Sequence, residues 1–284
     1  MNETPFVSVV MPNFDGARHI EESIQSIINQ SYKNWELVIC DDGSTDNSWE
    51  IIERLAKNDE RISIYKNKTN LGNPKNRNKL LSLVSVDTVY IAVLDSDDVA
   101  LPHRLQSQIK FLEDNQEVGL VGSAITIIDE HSKDQGIRTY PTTHKDISKK
   151  IMMFDPFAQP AVMVRSAALK QVGLYDENLA RCQDYDLFTR FIKKGIKTAN
   201  LPEPLTKFRI HSNQGKYQNI RKAFKYSFIV RNRYLFSKQF FSLQGFFMWG
   251  VYLGGYLSSF VLPKKTYAVI FDTLFVKNKT ENIS

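Results

Sequence analysis

Over the first half of the chain, short apolar runs alternate with segments in which apolar residues recur every three or four positions. Val7-Ser8-Val9-Val10-Met11 is rich in β-branched residues and closes on Pro12-Asn13, which predicts a buried strand ending in a loop. Ile20, Ile24, Ile27 and Ile28 then fall at helical spacing, and Trp35 to Cys40 forms a second apolar run that stops at Asp41-Asp42-Gly43-Ser44. Asp46 can cap a helix carrying Trp49, Ile52 and Leu55; Ile62 to Tyr65 reads as a third strand; Pro74 to Leu83 opens with the residue favoured in a first helical turn. Thr88 to Leu94 predicts a fourth strand ending on Asp95-Ser96-Asp97-Asp98, followed by a helix through Leu101, Leu105, Ile109 and Leu112. Helices that regularly connect short apolar strands imply a mostly parallel central sheet with both faces covered, because parallel strands need a crossover between them. In such a sheet ligands bind beyond the carboxyl ends of the strands. Pro12-Asn13, Asp41-Asp42 and Asp95-Ser96-Asp97-Asp98 each follow the last apolar residue of a strand, so they gather along one rim.

The pattern changes near Ser212 to Gly215. Residues 215–284 hold 11 of the 37 Lys and Arg but 2 of the 31 Asp and Glu, so the formal net charge of +6 comes from this tail and the part before it is slightly acidic. The tail also concentrates 17 aromatic residues in a quarter of the length. The chain therefore divides into an α/β unit, 1–214, and a basic, aromatic-rich helical region, 215–284. An apolar share of 42% over 284 residues supports a sizeable core and excludes a disordered or low-complexity chain. The length excludes a disulfide miniprotein, and Cys40 and Cys182 stand outside any CxxC or Cys/His metal spacing, which suits a reducing compartment. The N-terminus lacks a basic segment followed by an apolar one of signal-peptide length, so the catalytic part is expected in the cytoplasm.

Asp95, Asp97 and Asp98 put three carboxylates into four residues, and like charges this close are costly unless a cation or hydrogen-bond donors neutralise them. A solvated turn with a helix cap explains one isolated cluster. At the end of a buried strand, with a second acidic cluster beside it, a divalent ion is the better account, and hard oxygen ligands suit Mg²⁺ or Mn²⁺ bridging to substrate phosphates. In Asp41-Asp42-Gly43-Ser44-Thr45-Asp46 a turn and a cap explain Gly43 and Asp46 but not two successive carboxylates, which can accept from a base N–H or a ribose hydroxyl. Asn70 to Asn78 brings Gly72, amides and the cations Lys75 and Arg77 to the same rim, either towards a nucleotide or as a plain loop and helix start.

In order and spacing, Val7 to Phe14, Asp41 to Asp46, Gly72 with Arg77-Asn78, and Asp95-Ser96-Asp97-Asp98 resemble the donor half of family 2 glycosyltransferases, which have the GT-A fold. The resemblance covers about residues 5–214. It implies an α/β fold of the nucleotide-diphospho-sugar transferase type and inverting transfer from a nucleotide-diphosphate sugar, with a UDP-sugar the first expectation. It places Pro12, Asn13, Asp42, Arg77, Asp95 and Ser96 around the nucleotide sugar: Asp42 on the base and Asp95 near the ribose or sugar. Asp97 would hold a divalent metal, Mn²⁺ or Mg²⁺, against the diphosphate. Asn76 stands where the family usually has Ala, and Asp15 where Asn is common. Ala180 to Phe188 resembles the family's Glu-Asp-Tyr-Asp-Leu segment with Gln183 in place of Glu, which makes Asp184 the aligned catalytic base; a helix N-cap is its ordinary structural explanation. Phe208 to Gln214 resembles a late segment whose Arg and His approach phosphates or metal, which nominates His211 as a metal ligand, and Gln159-Pro160 and Arg165 fall on the acceptor side.

Phe240 to Leu262 contains no ionisable Lys, Arg, Asp, Glu or His, but Arg231, Arg233 and Lys238 precede it and Lys264-Lys265 follow it. Positive charge on both sides does not fit a single crossing, so a re-entrant or interfacial pair of helices is expected, peripheral on the inner face of the cell membrane. A helical cap packed on the catalytic unit or a second subunit is the plainer alternative. On the membrane reading the acceptor is a saccharide or lipid-linked saccharide of a surface polysaccharide. Nucleic acid is excluded as a partner by the acidic rim. Two rival readings are a nucleotidyltransferase using the same rim and a catalytically silent sugar-nucleotide-binding or membrane-scaffold protein.

Overall fold

A computed structural model of the chain describes residues 4–211 and 220–261. The proposed boundary at 214/215, Leu262 and Lys264-Lys265 lie outside the described residues. The elements run β1 (Val7–Asn13), α1 (Ile20–Ile28), β2 (Trp35–Asp41), α2 (Ser48–Ala56), β3 (Ile62–Lys66), α3 (Asn73–Leu83), β4 (Tyr90–Val93), β5 (Val99–Ala100) and α4 (Arg104–Asp114). They continue with β6 (Val118–Ile128), β7 (Asp134–Arg138), α5 (His144–Lys150), β8 (Met163–Arg165), α6 (Ser166–Val172), α7 (Gln183–Lys193), β9 (Lys197–Arg209), α8 (Ile220–Tyr234) and α9 (Leu243–Ser258).

One sheet runs β3-β2-β1-β4-β8-β6-β9-β5, with β7 paired on β6. Its first four strands are parallel, in the register Val7↔Trp35, Leu37↔Ile62 and Val7↔Tyr90. The mostly parallel expectation holds for this half alone. Beyond β4 the pairings β4–β8, β8–β6 and β5–β9 are antiparallel, and only β6–β9 is parallel. β8, which follows α5 and a single turn of 3₁₀ helix (Gln159–Ala161), runs antiparallel to both of its neighbours, β4 and β6.

Strand alternation sorts the core into two layers. Val9, Met11, Leu37, Ile39 and Ala92 face one side and pack with α1, α2 and α4, whereas Val10, Val38, Cys40, Ile91 and Val93 face the other, with α3, α5, α6 and α7. Both faces being covered explains why these strands read as continuous apolar runs. Val230, Tyr234, Leu235 and Phe240, from α8 and the segment after it, complete the second layer, so the basic aromatic region packs into the same core. α8 and α9 meet closely at Gly255, where an added Cβ would lie 2.2 Å from the Phe224 ring.

Candidate active site

The carboxyl ends of β1 to β4 form one rim, as the strand pattern predicts. Asn13 and Asp41 are register partners, Asp41 pairs with Lys66, and Leu94 follows β4 directly into the Asp-rich turn. Pro12 and Asn13 end β1. Asn13 Nδ2 donates to Asp41 at 2.8 Å and to Ser44 at 3.2 Å, while its Oδ1 is buried with no partner among the described residues. A Cβ at position 16 would sit 2.3 Å from that Oδ1 and 3.2 Å from Ser96 Oγ, so any other residue there would displace the Asn13 side chain. The following loop is stitched to the second strand's loop: Asp15 N–H donates to Ser44 Oγ, Gly16 N–H to Ser48 Oγ, and Thr45 N–H to Asp15 Oδ1. Asp46 stands one residue before the helix-flanking Asn47. It accepts from Ser48 N–H at 3.0 Å and Ala17 N–H at 2.9 Å, so it caps α2 and ties down the first loop together.

Asp42 is buried and accepts three hydrogen bonds, from Asn67 Nδ2 at 2.7 Å and from the backbone N–H groups of Leu71 and Gly72 at 2.9 Å. A carboxylate has about four lone-pair positions, so three of those on Asp42 are taken. Asn76 supports this arrangement by accepting from Asn67 and donating to the Cys40 carbonyl.

The three carboxylates after β4 have separate fates. Asp95 pairs with Arg77 Nη2 at 2.5 Å. Burial raises the Asp95 pKa, the Asp97 and Asp184 charges add to the rise, and Arg77 opposes it. Burial works against the Arg77 charge too, but Asp95, Tyr175 and Asp184 outweigh it and hold its pKa above the ordinary value. Asp98 turns inward, buried, and accepts the Arg209 backbone N–H at 2.7 Å; burial, then the charges of Asp97 and Asp95, hold its pKa well above the usual range. Beneath it, burial brings Arg104 down to about 9, against the pull of Asp98 and Asp95.

Asp97 meets His211, with Nε2 and Oδ2 3.1 Å apart. Tertiary pairing creates this contact: β5 follows the Asp-rich turn and pairs antiparallel with β9, Ala100 opposite Thr206, which carries the end of β9 back to Asp97. Arg209 is fully buried and binds the Asp97 carbonyl at 2.8 Å, Glu22 at 2.6 Å and the Asp129 carbonyl at 3.1 Å. It positions the turn, and the expected approach of this arginine to phosphates is replaced by that role. Among the described residues no group of three or more His, Cys, Asp or Glu side chains is gathered to hold a metal, and Asp97 and His211 meet as a pair.

Asp184 is the second residue of α7, half-buried, and its Oδ1 accepts from the Tyr185 N–H at 2.9 Å. Its charge is a minor contributor to the raised pKa values of both Arg77 and Asp95. Arg165 is elsewhere: it pairs with Tyr90 at the opposite end of β4 and with the carbonyls of Val118 and Leu112. His19 was missed by sequence reasoning. Its ring centre is 5.7 Å from that of His211, and burial, then the charges of Arg209, His211 and Arg18, lower its pKa to about 4 against the pull of Asp97. Its place in the loop after β1 was the available signal. Tyr175, in the loop between α6 and α7, had none.

Comparison with known proteins adds to this geometry. The family model described as Glycosyl transferase family 2 matches residues 8–173. An uncharacterized glycosyltransferase of Methanocaldococcus jannaschii is 33% identical over 99% of this chain and 97% of its own. The amylovoran biosynthesis glycosyltransferase AmsE of Erwinia amylovora is 30% identical over 78% of this chain and 80% of its own. Among solved structures, S. aureus TarS 1-349 in complex with UDP-GlcNAc superposes with a TM-score of 0.68 at 17% identity, covering 97% of this chain and 77% of that one. The mannosyltransferase PcManGT from Pyrobaculum calidifontis, in complex with GDP-Man and Mn²⁺, gives 0.66 at 15% identity, covering 99% and 84%. The shared architecture is the GT-A type.

Proposed function

Because this chain belongs to glycosyl transferase family 2, we propose that it is a metal-dependent, inverting glycosyltransferase that moves a sugar from a nucleotide diphosphate to a saccharide or lipid-linked saccharide hydroxyl. The observation that carries the reading is electrostatic: Asp95, paired with Arg77, feels the charges of both Asp97 and Asp184. On this reading Asp97 and the candidate base Asp184 both act on one donor-side carboxylate. Asp184 takes the acceptor hydroxyl proton as that oxygen attacks the anomeric carbon from the face opposite the diphosphate, which inverts the configuration. Asn13, Asp42, Ser96 and Arg77 orient the nucleotide sugar.

The donor set fits a divalent ion. Asp97 and His211, a carboxylate oxygen and an imidazole nitrogen 3.1 Å apart, would hold it, a donor chemistry that suits Mn²⁺ or Mg²⁺ alongside oxygen ligands from the substrate. Bound there, it would offset charge developing on the leaving diphosphate. A UDP-sugar is the first donor to try, since the TarS neighbour holds UDP-GlcNAc, and GDP-mannose the second. AmsE's role in amylovoran biosynthesis supports a surface polysaccharide as the product class.

The reading extends to an interfacial location on the inner face of the cell membrane. Exposed Phe236, Phe241, Leu243, Phe247, Phe260 and Val261 lie in or around α9, with exposed Arg221, Lys225, Arg233 and Lys238 nearby. No helix of the described residues is long and apolar enough to cross a membrane.

Calorimetric titration with nucleoside diphosphates and their sugars in Mn²⁺, together with diphosphate release in the presence of lipid-linked saccharides, tests the proposal. Asp97→Ala should abolish the metal-dependent part of binding. Asp184→Asn should keep binding and lose about 10²- to 10⁴-fold in turnover. Unchanged turnover in Asp184→Asn would remove it as the base, and release of pyrophosphate in place of a nucleoside diphosphate would indicate a nucleotidyltransferase.

A further inference from the structure

Among the buried polar atoms that have no hydrogen-bond partner among the described residues are Nη1 of Arg77 and Oε1 of Gln159. Arg77 is 4% exposed and Gln159 7%. Tyr175 connects them. Gln159 Nε2 donates to the Tyr175 hydroxyl at 2.6 Å, and the Arg77 guanidinium lies 6.0 Å from the centre of the Tyr175 ring. Tyr175 is fixed from behind by Asn78, which accepts its backbone N–H and donates to its carbonyl, both at 2.9 Å.

The charges at this corner select the ligand. Tyr175 feels the carboxylates of Asp95 and Asp184 and the single guanidinium of Arg77. Two carboxylates against one cation disfavour a phosphate and accept a neutral polar group. Turning the Gln159 amide over does not remove its unmet need, because one of its two polar atoms meets Tyr175 and the other meets nothing. A hydroxyl both donates and accepts, so it satisfies the remaining atom in either orientation. A sugar placed between the diphosphate end at Asp97 and the base at Asp184 presents hydroxyls to this corner.

We infer that Gln159, held by Tyr175 and Asn78, is a specificity-determining residue that takes a hydroxyl of the donor sugar, with Nη1 of Arg77 as a further donor to the same sugar. The inference rests on the donor-site reading above and deepens it. It assigns Gln159 a part in choosing the sugar and none in binding the nucleotide.

The test measures how much the sugar adds to binding. The full chain is titrated in Mn²⁺ with UDP, UDP-glucose, UDP-GlcNAc, GDP and GDP-mannose, and the ratio of sugar-nucleotide to diphosphate affinity is taken for wild type, Gln159→Leu and Tyr175→Phe. Gln159→Leu should lower that ratio about tenfold for the preferred donor and leave diphosphate affinity within about twofold. Tyr175→Phe, which removes the hydroxyl that aims the amide, should lower it by a smaller factor. Both affinities come from one preparation, so a loss of folded protein cancels. A ratio unchanged by Gln159→Leu, absent from wild type, or falling only because diphosphate affinity moves equally would overturn this inference alone. No binding of any diphosphate would overturn the donor-site reading and this inference with it.

Discussion

Asp95, Asp97 and Asp98 are one residue type within four positions, yet partners make them an ion-pair member, a metal-ligand candidate and a buried acceptor. A histidine far from this turn allows the same logic to be tested by pH. His144 Nδ1 accepts the Thr198 N–H at 3.2 Å, which requires that nitrogen to be unprotonated. Burial, with Lys197 adding, lowers its pKa below the usual 6.5. As pH falls through 6.5 the unfolded chain takes up this proton and the fold resists it. Stability present above that pH is therefore lost as the pH drops towards the lower folded value. The thermal midpoint of His144→Gln should fall less than that of wild type between about pH 7 and pH 5; parallel curves would show that this ring does not contribute.

At the scale of the element, α7 joins site and scaffold. Its first turn carries Asp184, with Cys182 before it in a left-handed conformation at φ 58°. Burial, with Asp184 adding, pushes the Cys182 thiol up to about 12, so it stays a thiol. Two residues on, Asp186 is buried and receives Arg190 at 2.8 Å, Tyr234 at 2.8 Å and Arg233 at 3.2 Å, which fastens α8 to α7. Arg231 secures the other side. It is 2% exposed, donates to the carbonyls of Met152 and Met153, and lies against the rings of Tyr185 and Tyr252 at 4.8 and 4.1 Å. Arg231→Leu leaves two carbonyls unpaired, and chemical denaturation should show a loss of about 2–4 kcal/mol. A loss under about 0.5 kcal/mol would mean that α8 is held by its apolar contacts alone.

For the whole molecule, the docking of α8 changes how membrane binding must be tested. Removing everything after Gly215 would strip Arg231, Val230, Tyr234 and Leu235 from the core, so lost binding could reflect unfolding. Leu243 and Phe247 are 82% and 69% exposed and can be changed with little effect on the fold. α9 has 16 residues, about 24 Å against the ~30 Å hydrocarbon core, which suits lying in the interface. Wild type should co-sediment with phosphatidylglycerol vesicles at low salt, and less with neutral ones, each nearby Lys or Arg contributing ~1 kcal/mol. Leu243→Ser with Phe247→Ser should weaken that binding severalfold and keep the thermal midpoint. Equal co-sedimentation would point to a protein surface as what covers this face.

The sequence by itself determined the order of strands and helices to β4, the rim on which Asn13, Asp41, Asp42 and Asp95 to Asp98 gather, and the charge contrast between the two regions. Those features are local: apolar period and turn chemistry act within a few residues, and parallel pairing puts all the strand ends on one side. Tertiary structure decided the rest. Which partners Asp97 and Asp98 meet depends on β9, more than 100 residues on, returning beside β5. The Tyr175–Gln159 contact depends on a loop that no periodicity marks, and the depth of Arg231 on which face of α8 meets Met152. Long-range contacts fix which charges meet, and a charge's role is set by what it meets in a medium without water.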